Sequence, residues 1–304
     1  MSDVTEADEP APAATARHPK LWREAVYIAV LYLAYSSVRN HFGSAGGPAG
    51  HANGIAYGHA LDIIHVEQRL HLFFEEGLQD WYLGLPSAGL IQVWNLFYGT
   101  AHFIVTAVAL ALLFARDKSR YVVWRNTLAA TTLVALVGFA SFSLMPPRLL
   151  SETPERYGPP AGTHAPATFE DTLAKYPTFW SFDSGGLKNI SNQYAAMPSL
   201  HTAWATWSAL VLVPLVRRRG LKALIALHPI ATVFCITVTA NHYWLDALFG
   251  LVALGVGYAV AAWLTAWWTR RRRPRRAAWA GGGDHAQGVG HPPRMAGPDD
   301  PGVP

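Results

Sequence analysis

The sequence predicts an all-α, polytopic membrane protein: a six-transmembrane-helix bundle with an amphipathic helix on its outer face. Three observations predict it. The chain is 51% hydrophobic and 14% charged over 304 residues, an apolar content too concentrated for an ordinary soluble domain of this size. A bilayer core about 30 Å thick takes roughly 20 mostly apolar residues per helix, and six segments approach that length: 21–39, 85–115, 121–145, 199–216, 221–240 and 243–268. The charges between those segments also alternate in sign along the chain.

Taken in order, residues 1–16 are acidic and Ala/Pro-rich, unlike a cleaved signal peptide, and residues 1–20 are expected to be disordered. The membrane domain is expected to span 21–273. The first segment carries Arg39 at its end. Within 61–82, Ile63, Val66, Leu70, Phe73, Phe74, Leu78 and Trp81 fall on one helical stripe, with Asp62, Glu67, Arg69, Glu76 and Asp80 away from it. That pattern predicts an amphipathic surface helix, packed on the bundle or touching lipid. In the second segment Asn95, Tyr98 and His102 share a polar face, suited to facing substrate or to hydrogen bonding between helices. The connection 149–197, rich in Pro, Gly and polar residues, is far longer than the usual connection of about 4 to 6 residues. A lid or headgroup pocket is expected there, against a plain covering loop. Residues 274–304 are Gly/Pro-rich without apolar period and are expected to be disordered, their basic start touching anionic lipid.

Charge orients the bundle. Arg116, Lys118, Arg120 and Arg125 form one basic cluster, Arg217, Arg218, Arg219 and Lys222 a second, and Arg270 to Arg273 with Arg275 and Arg276 a third. With Lys20 and Arg23 these belong in the cytoplasm, so both termini are expected there and the chain in the cell membrane. The opposite connections carry Glu67, Glu75, Glu76, Asp80, Glu152, Glu155, Glu170 and Asp171 and face outward. A net charge of +4 is too small to argue for a nucleic-acid partner. The single cysteine, Cys235, excludes an intramolecular disulfide.

The outward side gathers the chemistry-bearing residues. His242 and Asp246 are four apart, so on a helix the carboxylate can hold one imidazole nitrogen and leave the other to attack. Pro198-Ser199 opens the fourth segment as a helix start, whose free N–H groups attract phosphate. His201 in its first turn is placed to protonate a leaving alkoxide. Met145-Pro146-Pro147-Arg148 ends the third segment, where Arg148 can clamp phosphate oxygens or snorkel at the interface.

These three stretches, Met145-Pro146-Pro147-Arg148, Pro198-Ser199-Leu200-His201 and His242-Tyr243-Trp244-Leu245-Asp246, resemble the signature motifs of the type 2 phosphatidic acid phosphatase superfamily, in its inositol phosphorylceramide synthase-like branch. The resemblance implies an all-helical core, metal-independent phosphoryl transfer without a cofactor, a covalent phosphohistidine, and a phosphorylated membrane lipid as substrate. It implies His242 as nucleophile, Asp246 as its orienting partner, His201 as general acid, and Arg148 with Ser199 as phosphate binders. The chain departs from the ordinary phosphatase pattern in three places. The lysine upstream of the first-motif arginine is missing, Ile236 stands where an arginine precedes the third-motif histidine by six positions, and Leu200 stands where phosphatases commonly have glycine. Lys188, Arg39 and Arg156 are candidates for the missing charge.

Water as acceptor makes such a protein a phosphatase; an alcohol such as inositol makes it a phosphotransferase. A non-catalytic lipid-binding or transport protein would use the histidines for structure. A third possibility sets His201, His242 and Asp246 as metal ligands, against which Arg148 and the helix start favour an anion.

Overall fold

The structure, a computed structural model, describes residues 20–41, 49–86, 88–154, 157–178 and 193–272. The expected disordered ends, Lys20 apart, lie outside the described residues, as do Arg156 and Lys188. The described residues are helical, with no strand among them: α1 (Leu21–His41), α2 (Ala49–Arg69), α3 (Glu75–Leu83), α4 (Ile91–Arg116), α5 (Lys118–Ser141), α6 (Thr172–Lys175), α7 (Leu200–Leu212), α8 (Arg219–Val238) and α9 (Trp244–Arg272). The chain divides into a body, Met1–Trp263, and a C-terminal unit, Leu264–Pro304. The described part of that unit is the end of α9, where Arg271 lies over the Trp267 ring at 4.0 Å. Tryptophan beside arginine is the chemistry of a membrane interface.

Four helices are long and apolar enough to cross a bilayer: α4, α5, α8 and α9 as far as Arg271. Each carries exposed large apolar side chains, among them Val93, Ile104, Val137, Leu224, Ile230 and Val252. Helices apolar on both their packed and their open faces belong in hydrocarbon. The other two of the six expected spans fall short of that standard. The apolar stretch Leu200–Leu215 is too short, because the helix tightens to a 3-10 turn at Val213–Leu215, where Pro214 lacks an N–H. α1 is not among the four.

Inside the body, α7 packs most extensively on α4 and α8. It buries Ala203, Ala205, Trp207 and Val211 completely, and the Trp207 indole donates to the Trp124 carbonyl of α5 at 2.9 Å. α1 is tied to α5 by a buried ion pair, Glu24 with Arg125 at 2.5 Å, and the Tyr121 hydroxyl donates to the same carboxylate at 3.1 Å. The α7/α9 contact is closer than any side chain permits. A Cβ on Gly250 would stand 2.3 Å from the Ser199 carbonyl oxygen. Gly250→Ala is therefore expected to lower stability by about 1–3 kcal/mol through overpacking, read as a lower denaturation midpoint in detergent.

The single amphipathic helix expected over 61–82 is two helices. α2 ends at Arg69, His71 takes a left-handed φ of 58°, and α3 begins at Glu75. The expected core stripe is also inverted in part. Val66, Leu70, Phe74 and Trp81 are exposed, whereas Glu67, assigned to solvent, is completely buried, and so are Glu75 and, nearly so, Gln79.

The long connection after α5 is packed rather than loose in its described parts. Phe169, Leu173 and Tyr194 are buried, and Leu144 pairs with Tyr194 through an N–H to carbonyl bond of 2.8 Å. α2 fastens it with polar side chains: the Tyr194 hydroxyl donates to Asn53 Oδ1 at 2.5 Å and Tyr57 donates to the His164 carbonyl at 2.9 Å.

Candidate active site

α8 ends in a tight turn that presents His242. Ala240 adopts a φ of 52°, and the Ile236 carbonyl accepts both the Asn241 and the His242 N–H, at 2.9 and 3.1 Å. Ile236 is completely buried at this turn, so an apolar side chain occupies the position of the missing arginine. α9 starts two residues after His242 and brings Asp246 back beneath it. His242 Nδ1 lies 3.1 Å from Asp246 Oδ2, and the same oxygen accepts the Tyr243 N–H at 3.1 Å. Asp246 is completely buried and His242 is 3% exposed. A carboxylate on Nδ1 fixes that nitrogen as the N–H and leaves Nε2 with its lone pair. Nε2 is buried and has no hydrogen-bond partner.

α7 supplies the second imidazole. Ser199 caps the helix, its hydroxyl accepting from the Thr202 N–H at 3.5 Å, and the next turn carries His201. The His201 and His242 rings lie 5.5 Å apart. Both line one cavity of about 100 Å³, with Tyr98, His102, Leu200 and Trp204 among its other walls. An apolar cavity of about 180 Å³ between α1, α4, α5 and α7 shares Tyr35, Phe103 and Trp204 with it.

Of the five predicted residues, His201, His242 and Asp246 form one cluster. Arg148 and Ser199 are joined to that cluster through the backbone: Arg148 N–H donates to the Ala240 carbonyl at 2.8 Å, and Ser199 N–H to the Asp246 carbonyl at 2.9 Å. Their side chains are not among those lining the cavity. The Arg148 guanidinium donates to Asp171 at 2.6 Å and to Gln193 at 2.5 Å. Its Nε is buried without a partner.

The polar face of α4 divides by function. Asn95 is structural: its amide donates to the Thr172 carbonyl at 2.8 Å and accepts from the Thr172 hydroxyl at 2.9 Å. Tyr98 and His102 instead join the cavity, the Tyr98 ring stacked on His201 at 4.3 Å and the His102 ring 4.2 Å from it. Sequence reasoning left these two outside the catalytic set. Their spacing of four on one helix face, within an apolar segment, was the available signal.

It missed a second polar group altogether. Glu75 Oε1 accepts the Trp244 N–H at 2.9 Å, and Glu67 Oε1 accepts the Leu245 N–H at 3.3 Å. The first N–H groups of α9 are thus taken by buried carboxyl groups, so an anion can find free N–H groups only elsewhere. Among the described residues, no three His, Cys, Asp or Glu side chains gather in a way that could hold a metal ion.

An all-helical protein with helices long and apolar enough to cross a membrane, and a carboxylate-held histidine facing a second histidine, is the class the structure defines. The family described as the PAP2 superfamily matches residues 61–260, which include all three motifs, and the chain belongs to that superfamily. No curated protein and no solved structure matches the chain. Membership suggests a membrane lipid phosphatase, and an enzyme of phosphatase or phosphotransferase type.

Proposed function

We propose that the protein is an integral membrane lipid phosphatase or phosphotransferase that works through a phosphohistidine on His242. The observation that carries this is the pair of imidazoles on one cavity, with His242 Nδ1 held by Asp246 and Nε2 left unpartnered. In the first step Nε2 attacks phosphorus, the bond from phosphorus to the lipid oxygen breaks, and His201 gives that oxygen its proton. In the second, the acceptor oxygen attacks the phosphohistidine, its proton passes to His201, and His242 leaves with Nε2 free. Asp246 stabilises the cationic ring in between. Arg148 and Ser199, whose backbone N–H groups already hold the His242 turn, serve the phosphate once substrate draws their side chains to the cavity they now stand outside. The adjoining apolar cavity of about 180 Å³ favours a substrate with a hydrocarbon chain.

The acceptor is water or an alcohol, and Leu200 in the cavity wall is the feature that leans toward the inositol-type transferase branch. We place the site at the outer face because α7 runs from His201 toward the basic cluster Arg217, Arg218 and Arg219, which belongs in the cytoplasm. Purified protein incubated with a panel of lipid phosphates and inositol-containing lipids tests this directly, scoring free phosphate against new phosphodiester. Turnover that persists after exhaustive chelation is the expected result. Activity that needs a metal ion, or a lipid-dependent function unchanged in His242→Ala and His201→Ala, would contradict it.

A further inference from the structure

The elbow between α2 and α3 reaches into the start of the catalytic helix. Glu67 and Glu75 are completely buried and Gln79 is 1% exposed, although none of them lines the cavity. All three bind backbone beside the His242 turn. Glu75 holds the Trp244 N–H and Glu67 the Leu245 N–H. The Gln79 amide donates to the Val238 carbonyl at 3.2 Å, at the end of α8. The strand of chain from Val238 to Leu245 is therefore gripped on either side of His242.

The two carboxyl groups are not equivalent. Both oxygens of Glu75 accept backbone N–H groups, Oε1 from Trp244 and Oε2 from Phe74 at 2.9 Å each. Two such donors favour the charged form against the burial that opposes it. Glu67 accepts through Oε1, and its Oε2 is buried with no hydrogen-bond partner. They accept successive N–H groups at the start of α9, so the two buried carboxyls are neighbours, and like charges so placed favour a proton on one of them. Oε2 of Glu67 is the atom with no other use for it.

Resting on His242 as the nucleophile, we propose that Glu67 and Glu75 are positioning residues that share one proton, Glu67 neutral and Glu75 ionised, and that this pair fixes the start of α9 so that Asp246 meets His242. Burial first and the Glu75 charge second push the Glu67 carboxyl up to about 9. Burial also raises Glu75, against which the Trp244 and Phe74 N–H groups act. The other ionisable groups facing the pair are Asp246, beneath His242, and the Tyr243 hydroxyl.

The asymmetry makes the test sharp. In Glu67→Gln the new carbonyl accepts from Leu245 and the amide donates to Glu75, reproducing neutral Glu67, so kcat is expected within about threefold of wild type. In Glu75→Gln an amide N–H₂ must face a backbone N–H or the Glu67 proton. A drop of about 10²-fold in kcat with little change in KM is expected, because the nucleophile is misplaced rather than the substrate unbound. A second measurement needs no substrate. A carboxyl held up at about 9 against a usual 4.5 keeps its proton when folded and loses it on unfolding, so stability falls as pH rises between those values. The wild-type unfolding midpoint should therefore fall more steeply with rising pH than that of Glu67→Gln. Equal pH slopes in the two proteins, or Glu67→Gln as damaging as Glu75→Gln, would overturn the proposal. If Glu75→Gln does not fold, the pH slopes decide. An error in the assignment of His242 would leave the slope difference standing, so the two failures are distinguishable.

Discussion

His242→Ala is expected to remove turnover, with a loss on the order of 10⁵-fold in kcat, as for an enzyme deprived of its nucleophile. The alanine leaves no atom at this turn to form the covalent intermediate, and Asp246 beneath it is completely buried. Stability should fall by about 1–3 kcal/mol, because alanine leaves the buried Asp246 carboxylate without its imidazole donor and a void where the ring stood. The loss of the unpartnered Nε2 offsets part of this. Retained folding with lost turnover, read by a denaturation curve beside a product assay, separates chemistry from structure. Turnover near the wild-type rate would remove His242 from the mechanism.

His201→Ala is expected to cost about 10²–10⁴-fold on a lipid phosphate, the usual worth of a positioned proton donor. The loss should shrink sharply on a substrate whose leaving group needs no proton, such as an aryl phosphate of low leaving-group pKa. His242 cannot share that behaviour, since its own loss is independent of the leaving group. The His201 ring packs on Tyr98 at 4.3 Å and on His102 at 4.2 Å, which fixes its plane against the cavity. A loss of equal size on both substrates would mean that His201 acts by shape and not by donating a proton.

The long apolar helices were legible because uniform apolarity over a bilayer's width is a loud signal. α5, α8 and α9 fall close to the expected segments, and α4 begins at Ile91, later than the expected start at residue 85. Two others were read less fully. α7 tightens at Val213–Leu215, and α2 begins at Ala49 through a stretch whose Gly54 and Gly58 hide the helical period. The inverted stripe over 61–82 has a clear cause. Counting apolar residues at a period of 3.6 assumes that the apolar face is the packed one. Here Glu67 lies on the same face as Ile63 and Ile64, and that face meets the backbone N–H groups of α9, where carboxyl oxygens are wanted. Asking which acidic residue sits three and four positions after buried isoleucines was the available clue.

At the site, the spacing of four pointed to the pairing of His242 with Asp246, although His242 stands two residues before α9 and the carboxylate reaches back to it from the first turn. That His201 shares their cavity depends on how α7 packs against α4 and α8, which no local pattern encodes. Arg148 shows the limit most plainly. Its sequence neighbours Pro146 and Pro147 end a segment, yet its partner Asp171 comes from far along the connection, at the start of α6, and the pair is buried.

The central claim is a covalent phosphoryl group on Nε2 of His242. Rapid quenching of purified protein with a labelled lipid phosphate, followed by denaturation under alkaline conditions and peptide mapping, tests it most directly. An acid-labile, alkali-stable label on the peptide carrying His242, absent from His242→Ala and accumulating in Asp246-intact protein before product reaches steady state, is the predicted result. Turnover with no protein-bound label at any time, or a label that persists in His242→Ala, would contradict it.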